Sequence, residues 1–176
     1  GYLSKATPAV PEGKVVTIVV PHAGYVYSGQ VAAYGYKLLQ GSPPKTVFLI
    51  GPSHRVGFKG FSVSRSSGYK TPLGVAPVDR DLAKNSLEIQ IPFLQAVLKD
   101  FTIVPILMGD QDLEACTLLA ESLIQVMPNG EDTVILASTD LSHFHNDRRA
   151  KVLDGEFIRH VRDFAPEALA KAIASG

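Results

Sequence analysis

The sequence predicts a single α/β domain with a mostly parallel central sheet flanked by helices. Two observations carry this. Short β-branched runs alternate with stretches of helical apolar spacing along most of the chain. Three of those runs also end in a histidine-bearing loop. Val15–Val20 leads into Pro21-His22-Ala23-Gly24-Tyr25, Thr46–Ile50 into Gly51-Pro52-Ser53-His54, and Thr133–Ala137 into Ser138-Thr139-Asp140-Leu141-Ser142-His143-Phe144-His145. Four of the five histidines therefore follow the C-terminal end of an expected strand, the edge where open parallel sheets bind ligands. At 176 residues the chain is long enough for one good core and short for two.

Taken in order, residues 1–14 read as an extended lead-in rich in Pro, Gly, Ala and Ser. Val15–Val20, bounded by Gly13 and Pro21, is a buried strand. Ser28 is a plausible N-cap for a helix running to about Gln40, with Val31, Tyr34, Leu38 and neighbouring alanines as its buried face. Gly41-Ser42-Pro43-Pro44 stops that helix, and Thr46–Ile50 forms the next strand. Phe58–Val78 alternates polar and apolar residues and then becomes rich in Gly and Pro, which predicts a β excursion or hairpin. Ile89–Leu98 has helical spacing, with Pro92 tolerated in the first turn. Phe101–Met108 is a strand whose internal Pro105 predicts an edge or bulged position. Asp112 caps a helix to about Met127, and Pro128-Asn129-Gly130 ends it. Thr133–Ala137 is the third histidine-loaded strand, followed by helices over Asp147–Val161 and Pro166–Ala174.

Composition narrows the functional classes. Seventeen Lys plus Arg balance seventeen Asp plus Glu, so nothing favours nucleic acid or an anionic membrane as a partner. No apolar run reaches bilayer-spanning length, and no basic-then-apolar leader is read. Cys116 is the single cysteine, which excludes an internal disulfide and makes a cytoplasmic location the default expectation. There is neither a Walker-type glycine loop nor GxGxxG.

The chemistry rests on the histidine loops. Imidazole is both a common transition-metal ligand and a general base near neutral pH. His22 and His54, read singly, could equally satisfy loop backbone groups, but together they project from one sheet edge. Asp140 could orient His143, complete a metal shell, or simply cap a helix that takes in Ser142 and His143. His145 lies two residues on and points elsewhere if that segment is helical. Tyr25 and Tyr27 could wall a pocket. Ser53 or Ser142 beside a histidine offers a non-metal hydrolase, though neither sits in a nucleophile elbow. Glu88 does not fit a capping box with Ser86, and its Leu and Ile neighbours predict that it faces inward and needs a partner. Cys116 reads as a small buried hydrophobe and His160 as part of a solvated helix face.

Four ordered segments then resemble the Memo-like family, known as Memo in animals and as the B component of the AmmeMemoRadiSam system in microbes. They are Pro-His-Ala-Gly-Tyr-Val-Tyr-Ser-Gly (21–29), Gly-Pro-Ser-His (51–54), Ser-Leu-Glu-Ile-Gln-Ile-Pro-Phe-Leu (86–94) and Ser-Thr-Asp-Leu-Ser-His-Phe-His (138–145). The resemblance implies a fold like that of class III extradiol non-haem iron dioxygenases. It implies His22 and His54 as metal ligands, His143 and Asp140 as catalytic pocket groups, and Glu88, Tyr25, Ser53 and His145 as further pocket residues. Fe(II) is the first metal expected, with copper or zinc as alternatives, serving redox or oxygenase chemistry. The pocket would take a small molecule or peptide, and the resemblance adds an AMMECR1-like protein and a radical-SAM protein as partners. The alternative is a non-catalytic binding or scaffold protein that uses the same pocket. This sequence has Lys84-Asn85 where the family has Glu-His. Relative to the family's pattern, an N-terminal piece, a loop near 84/85 and a C-terminal part with a cysteine ligand lie outside the sequence.

Overall fold

The computed structural model describes residues 1–41, 43–63, 67–78, 87–127 and 132–175. The junction near 84/85 and the Pro128-Asn129-Gly130 turn lie outside them. In chain order the elements are α1 (Tyr2–Lys5), β1 (Thr17–Val20), α2 (Tyr25–Leu38), β2 (Thr46–Pro52), β3 (Phe61–Val63), β4 (Ser67–Thr71), β5 (Gly74–Val78), α3 (Ile91–Val97), β6 (Thr102–Met108), α4 (Leu113–Val126), β7 (Thr133–Ser138), α5 (Asp147–Arg162) and α6 (Pro166–Ser175). Short 3-10 turns cover Leu39–Gly41 and Glu88–Gln90.

The main sheet has the order β1-β7-β2-β6-β3, and β4 and β5 form a separate hairpin. β1, β7, β2 and β6 are parallel, and β3 joins antiparallel. This bears out the α/β fold class and the places of the strands, but β1 covers only Thr17–Val20 and is not the buried strand expected: it lies at the end of the sheet order, with Ile18 and Val20 buried and Thr17 and Val19 exposed. Alternation along β2 splits the core. Val47 and Leu49 pack with Ile18, Val20, Ala33, Tyr36 and Leu94 on one face, while Phe48 packs with Ala115, Leu119 and Leu123 of α4 on the other.

Several elements depart from the sequence reading for physical reasons. α2 begins at Tyr25, not after Ser28, because the Gly24 carbonyl already accepts from the Tyr27 and Ser28 amides at 2.8 and 3.1 Å. The Ser28 hydroxyl instead donates back to the Ala23 carbonyl at 2.8 Å. Its buried face is Gly29, Ala32, Ala33 and Tyr36, with Val31 and Tyr34 turned outward. Close packing requires this: a Cβ on Gly35 would stand 2.7 Å from Val20 Cγ1, so only small residues fit against β1. Pro105 lies in an interior strand and not at the expected edge or bulge: it is in register with Leu49 of β2, while β3 pairs only with Ile106–Met108, so among the described residues no β3 residue faces Pro105. The Asp112 cap is as expected, accepting from the Ala115 amide at 2.8 Å. Cys116 is exposed, and His160 is buried, both contrary to the sequence reading. Among the described residues no helix is long and apolar enough to cross a membrane.

Candidate functional site

Because β7 lies between β1 and β2, the three histidine loops leave adjacent strands and meet at one rim. His22 follows β1 by two residues and is held on every side. Its Nδ1 lies 2.9 Å from Ser138 Oγ at the end of β7. Its Nε2 lies 3.1 Å from His54 Nε2, and the two rings meet edge to face. Its backbone amide and that of Ala23 both donate to Asp140 Oδ1, at 2.5 and 2.8 Å. Asp140 is thus no helix cap. Its carboxylate staples the loop after β7 to the loop after β1, and its Oδ2 stands 3.6 Å from His22 Nε2 and 3.7 Å from His143 Nε2.

His143 lies in a loop, not a first helical turn, and α5 starts only after Asn146 caps it at Arg149. The loop's path uses positive φ at Leu141 (59°) and Phe144 (60°), which turns His143 back toward Asp140. His143 Nδ1 lies 2.9 Å from the Leu141 carbonyl. His22, His54, Asp140 and His143 are therefore one cluster. His145 is exposed. Ser53 supports its own loop, its hydroxyl donating to the Val56 carbonyl at 2.7 Å. Tyr25 packs edge to face on Phe93 and donates to the Ile89 carbonyl at 2.9 Å.

Glu88 does not face inward. It is exposed, while Gln90 two residues later is 1% exposed. The 3-10 turn explains the exchange: Leu87, Gln90, Ile91 and Leu94 share the buried side, and Glu88 lies on the other. The sequence reading applied the right test, a polar residue between apolar neighbours, to the wrong position. Gln90 links Tyr36, Pro21 and Ser138 beneath His22. On the α4 side, an apolar cavity of about 690 Å³ is lined by Ile50, Met108, Leu119, Phe157 and Ile173, and Ser138 also reaches it.

Burial lowers the His22 pKa below its usual 6.5. The Asp140 carboxylate opposes that shift, and the nearby His54 ring adds to it. The folded state therefore binds fewer protons at His22 than the unfolded chain. This group's stabilisation is complete above about pH 6.5 and is lost as pH falls from there toward the lower folded value. Urea midpoints should drop between neutral and mildly acidic buffer, and His22→Gln should flatten that drop. An equal slope in the variant would show that other groups set the acid sensitivity.

The family model described as "Memo-like protein" matches residues 1–85 and 82–175. The chain belongs to the Memo-like family. A MEMO1 family protein of Methanosarcina mazei is 37% identical over 174 residues, covering 88% of this chain and 64% of the relative. That of Sulfolobus acidocaldarius is 37% identical over 168 residues, covering 80% and 59%. That of Thermotoga maritima is 32% identical over 174 residues, covering 88% and 63%. The chain thus spans less than two thirds of the length of these Memo-like relatives. The cluster described above lies wholly within the matched region.

Proposed function

We propose that this Memo-like chain carries a metal-capable site in which His22 and His54 are paired imidazole ligands, serving redox or oxygenase chemistry on a small molecule. The observation that carries the reading is the 3.1 Å separation of the two Nε2 atoms. With metal–nitrogen bonds of about 2.0–2.1 Å, two adjacent ligands on one tetrahedral or octahedral centre stand roughly 2.8–3.4 Å apart. The pair fits that requirement. Asp140 Oδ2, at 3.6 Å from His22 Nε2, stands slightly outside it, and among the described residues no three side chains form a ready cage. The two histidines would hold the ion, and any further donors would come from solvent, substrate or a small movement of Asp140.

Two imidazoles with open positions suit Fe(II), which when bound supplies oxygen and substrate activation, and they also accept copper or zinc. The remaining residues supply binding and proton handling. Asp140 holds the His22 loop and places negative charge beside both His22 and His143. His143 is half exposed at the mouth, where its Nε2 can exchange a proton with a bound molecule. Tyr25, three residues after His22, packs its ring edge to face on Phe93.

The test is metal content and Fe(II) affinity of the purified protein beside His22→Ala and His54→Ala. The intact site should bind about one equivalent. Each variant should lose at least about 100-fold in affinity, since outer partners of a ligand alone are worth roughly 10–100-fold. Equal metal content in wild type and the double variant overturns the reading. Metal binding with no oxygen uptake on catechols would leave a binding protein that uses the same pocket.

A further inference from the structure

We propose that the apolar cavity on the α4 side is a binding site for an aliphatic amine, its ammonium head held by Asp154 and Ser142 and its hydrocarbon tail lying along α4. None of the four rim side chains lines this cavity, so the site stands apart from the proposed metal centre. Its volume of about 690 Å³ falls within the roughly 300–1,000 Å³ of small-molecule sites.

The sheet forms the floor through Ile50 and Ile135. α4 supplies one wall through Leu119 and Leu123, and α5 and α6 supply the other through Phe157 and Ile173. Both directions give it length. α4 advances about 10 Å from Cys116 to Leu123, and β7 about 10 Å from Ile135 to Ser138, all of them lining residues. An extended tail fits along that line. Cys116, Ala120, Glu156 and Ile173 line the cavity and are also exposed, so it opens to solvent between α4 and the α5–α6 pair.

The polar groups gather where the loop after β7 meets α5. Ser142 of that loop and Asp154 of α5 both line the cavity. The Ser142 hydroxyl is buried with no hydrogen-bond partner among the described residues. Its backbone amide donates to Asp154 Oδ1 at 3.0 Å, which sets the two residues side by side. Asp154 is half-buried, and among the described residues no lysine, arginine or histidine pairs with it. Glu156, the other carboxylate of the lining, is already met by Arg159 at 3.8 Å and His160 at 3.7 Å. Among the described residues no cationic side chain lines the cavity. A half-buried carboxylate without a counter-charge repels a fatty acid or a phosphate and attracts an ammonium. The three hydrogens of an ammonium can serve Asp154 Oδ2 and Ser142 Oγ together, and the tail then covers the aliphatic walls.

The test is calorimetric titration of the purified protein with decylamine at neutral pH, where the amine is charged, and below its micelle-forming concentration. Saturation at about one equivalent is expected. Octylamine should bind roughly 10–20-fold more weakly, since each methylene is worth about fourfold in affinity. Decanoate, equal in length to decylamine, should bind at least about 10-fold more weakly. Asp154→Asn keeps an acceptor for the Ser142 amide and should erase that preference for the amine. Ala172→Phe, which places a ring in the cavity from α6, should abolish binding of both. Decanoate binding as tightly as decylamine, or a decylamine affinity unchanged in Asp154→Asn, overturns the proposal. An equal loss in His54→Ala places the amine at the rim cluster and overturns it as well, as does uptake that never saturates. Should Ala172→Phe fail to fold, Asp154→Asn and the comparison of amine with acid decide alone.

Discussion

Asp140→Ala is expected to lower the thermal midpoint by roughly 5–15 °C. One carboxylate oxygen accepts two backbone amides, those of His22 and Ala23, from a loop 117 and 118 positions earlier in the chain. Hydrogen bonds to a charged group contribute about 1.5–3 kcal/mol each, and orphaned amides add a desolvation cost. Asp140 keeps only 14% of its side chain exposed, so water does not readily replace it. A net loss of ~2–4 kcal/mol follows. For a domain of this size each kcal/mol shifts the midpoint by about 2–4 °C. Asp140→Asn keeps an acceptor oxygen with the correct reach and should recover more than half of the loss. Thermal unfolding of the two variants beside wild type decides it. Indistinguishable midpoints for alanine and wild type would mean that the two loops hold their places without the staple.

Gly109→Ala is expected to be comparably severe, although it removes nothing. A methyl group there would stand 2.0 Å from the Phe58 carbonyl oxygen and 2.8 Å from the Phe58 carbonyl carbon, both backbone atoms that no rotamer change can move aside. The same stretch is pinned by the Gly109 and Asp110 amides donating to the Gly60 carbonyl, and by the Gly60 amide donating to Asp110 Oδ2. Overpacking costs about 1–3 kcal/mol. Displacing the segment forfeits about 0.5–1.5 kcal/mol for each bond lost. A total of ~2–5 kcal/mol, read as a midpoint lower by roughly 5–15 °C, is the expected result. The displaced segment continues directly from the loop bearing His54. Ring resonances of His54 should therefore move more than those of His143, which sits on a different loop. A midpoint within about 2 °C of wild type would show that the loop yields freely.

How much of this was legible in the sequence depends on what each feature rests on. Periodicity and β-branched runs carried the strands, because buried parallel strands need little beyond them. The convergence of His22, His54, Asp140 and His143 was readable as far as one sheet edge. Their contacts were not, since these depend on β7 lying between β1 and β2, which no local pattern encodes. The Asp140 staple was hidden for the same reason: its donors are amides, and amides carry no side-chain signature. The buried face of α2 was misread because Val31 and Tyr34 are large and apolar, whereas the tight approach of Gly35 to Val20 selects for small residues. Gln90 was missed by two positions, because a 3-10 turn rotates the inward side faster than α-helical spacing predicts.

The place of β7 also orders events in time. β1 has its only described sheet neighbour in β7, the last strand of the sheet to be synthesised. Until β7 inserts, the His22 loop has no rigid frame beside the His54 loop, and Asp140 and Ser138 are not yet in place. A nascent or nicked chain can carry both imidazoles and still lack the fixed arrangement of His22 beside His54. Assembly of the cluster is therefore a non-local event that reports a completed sheet.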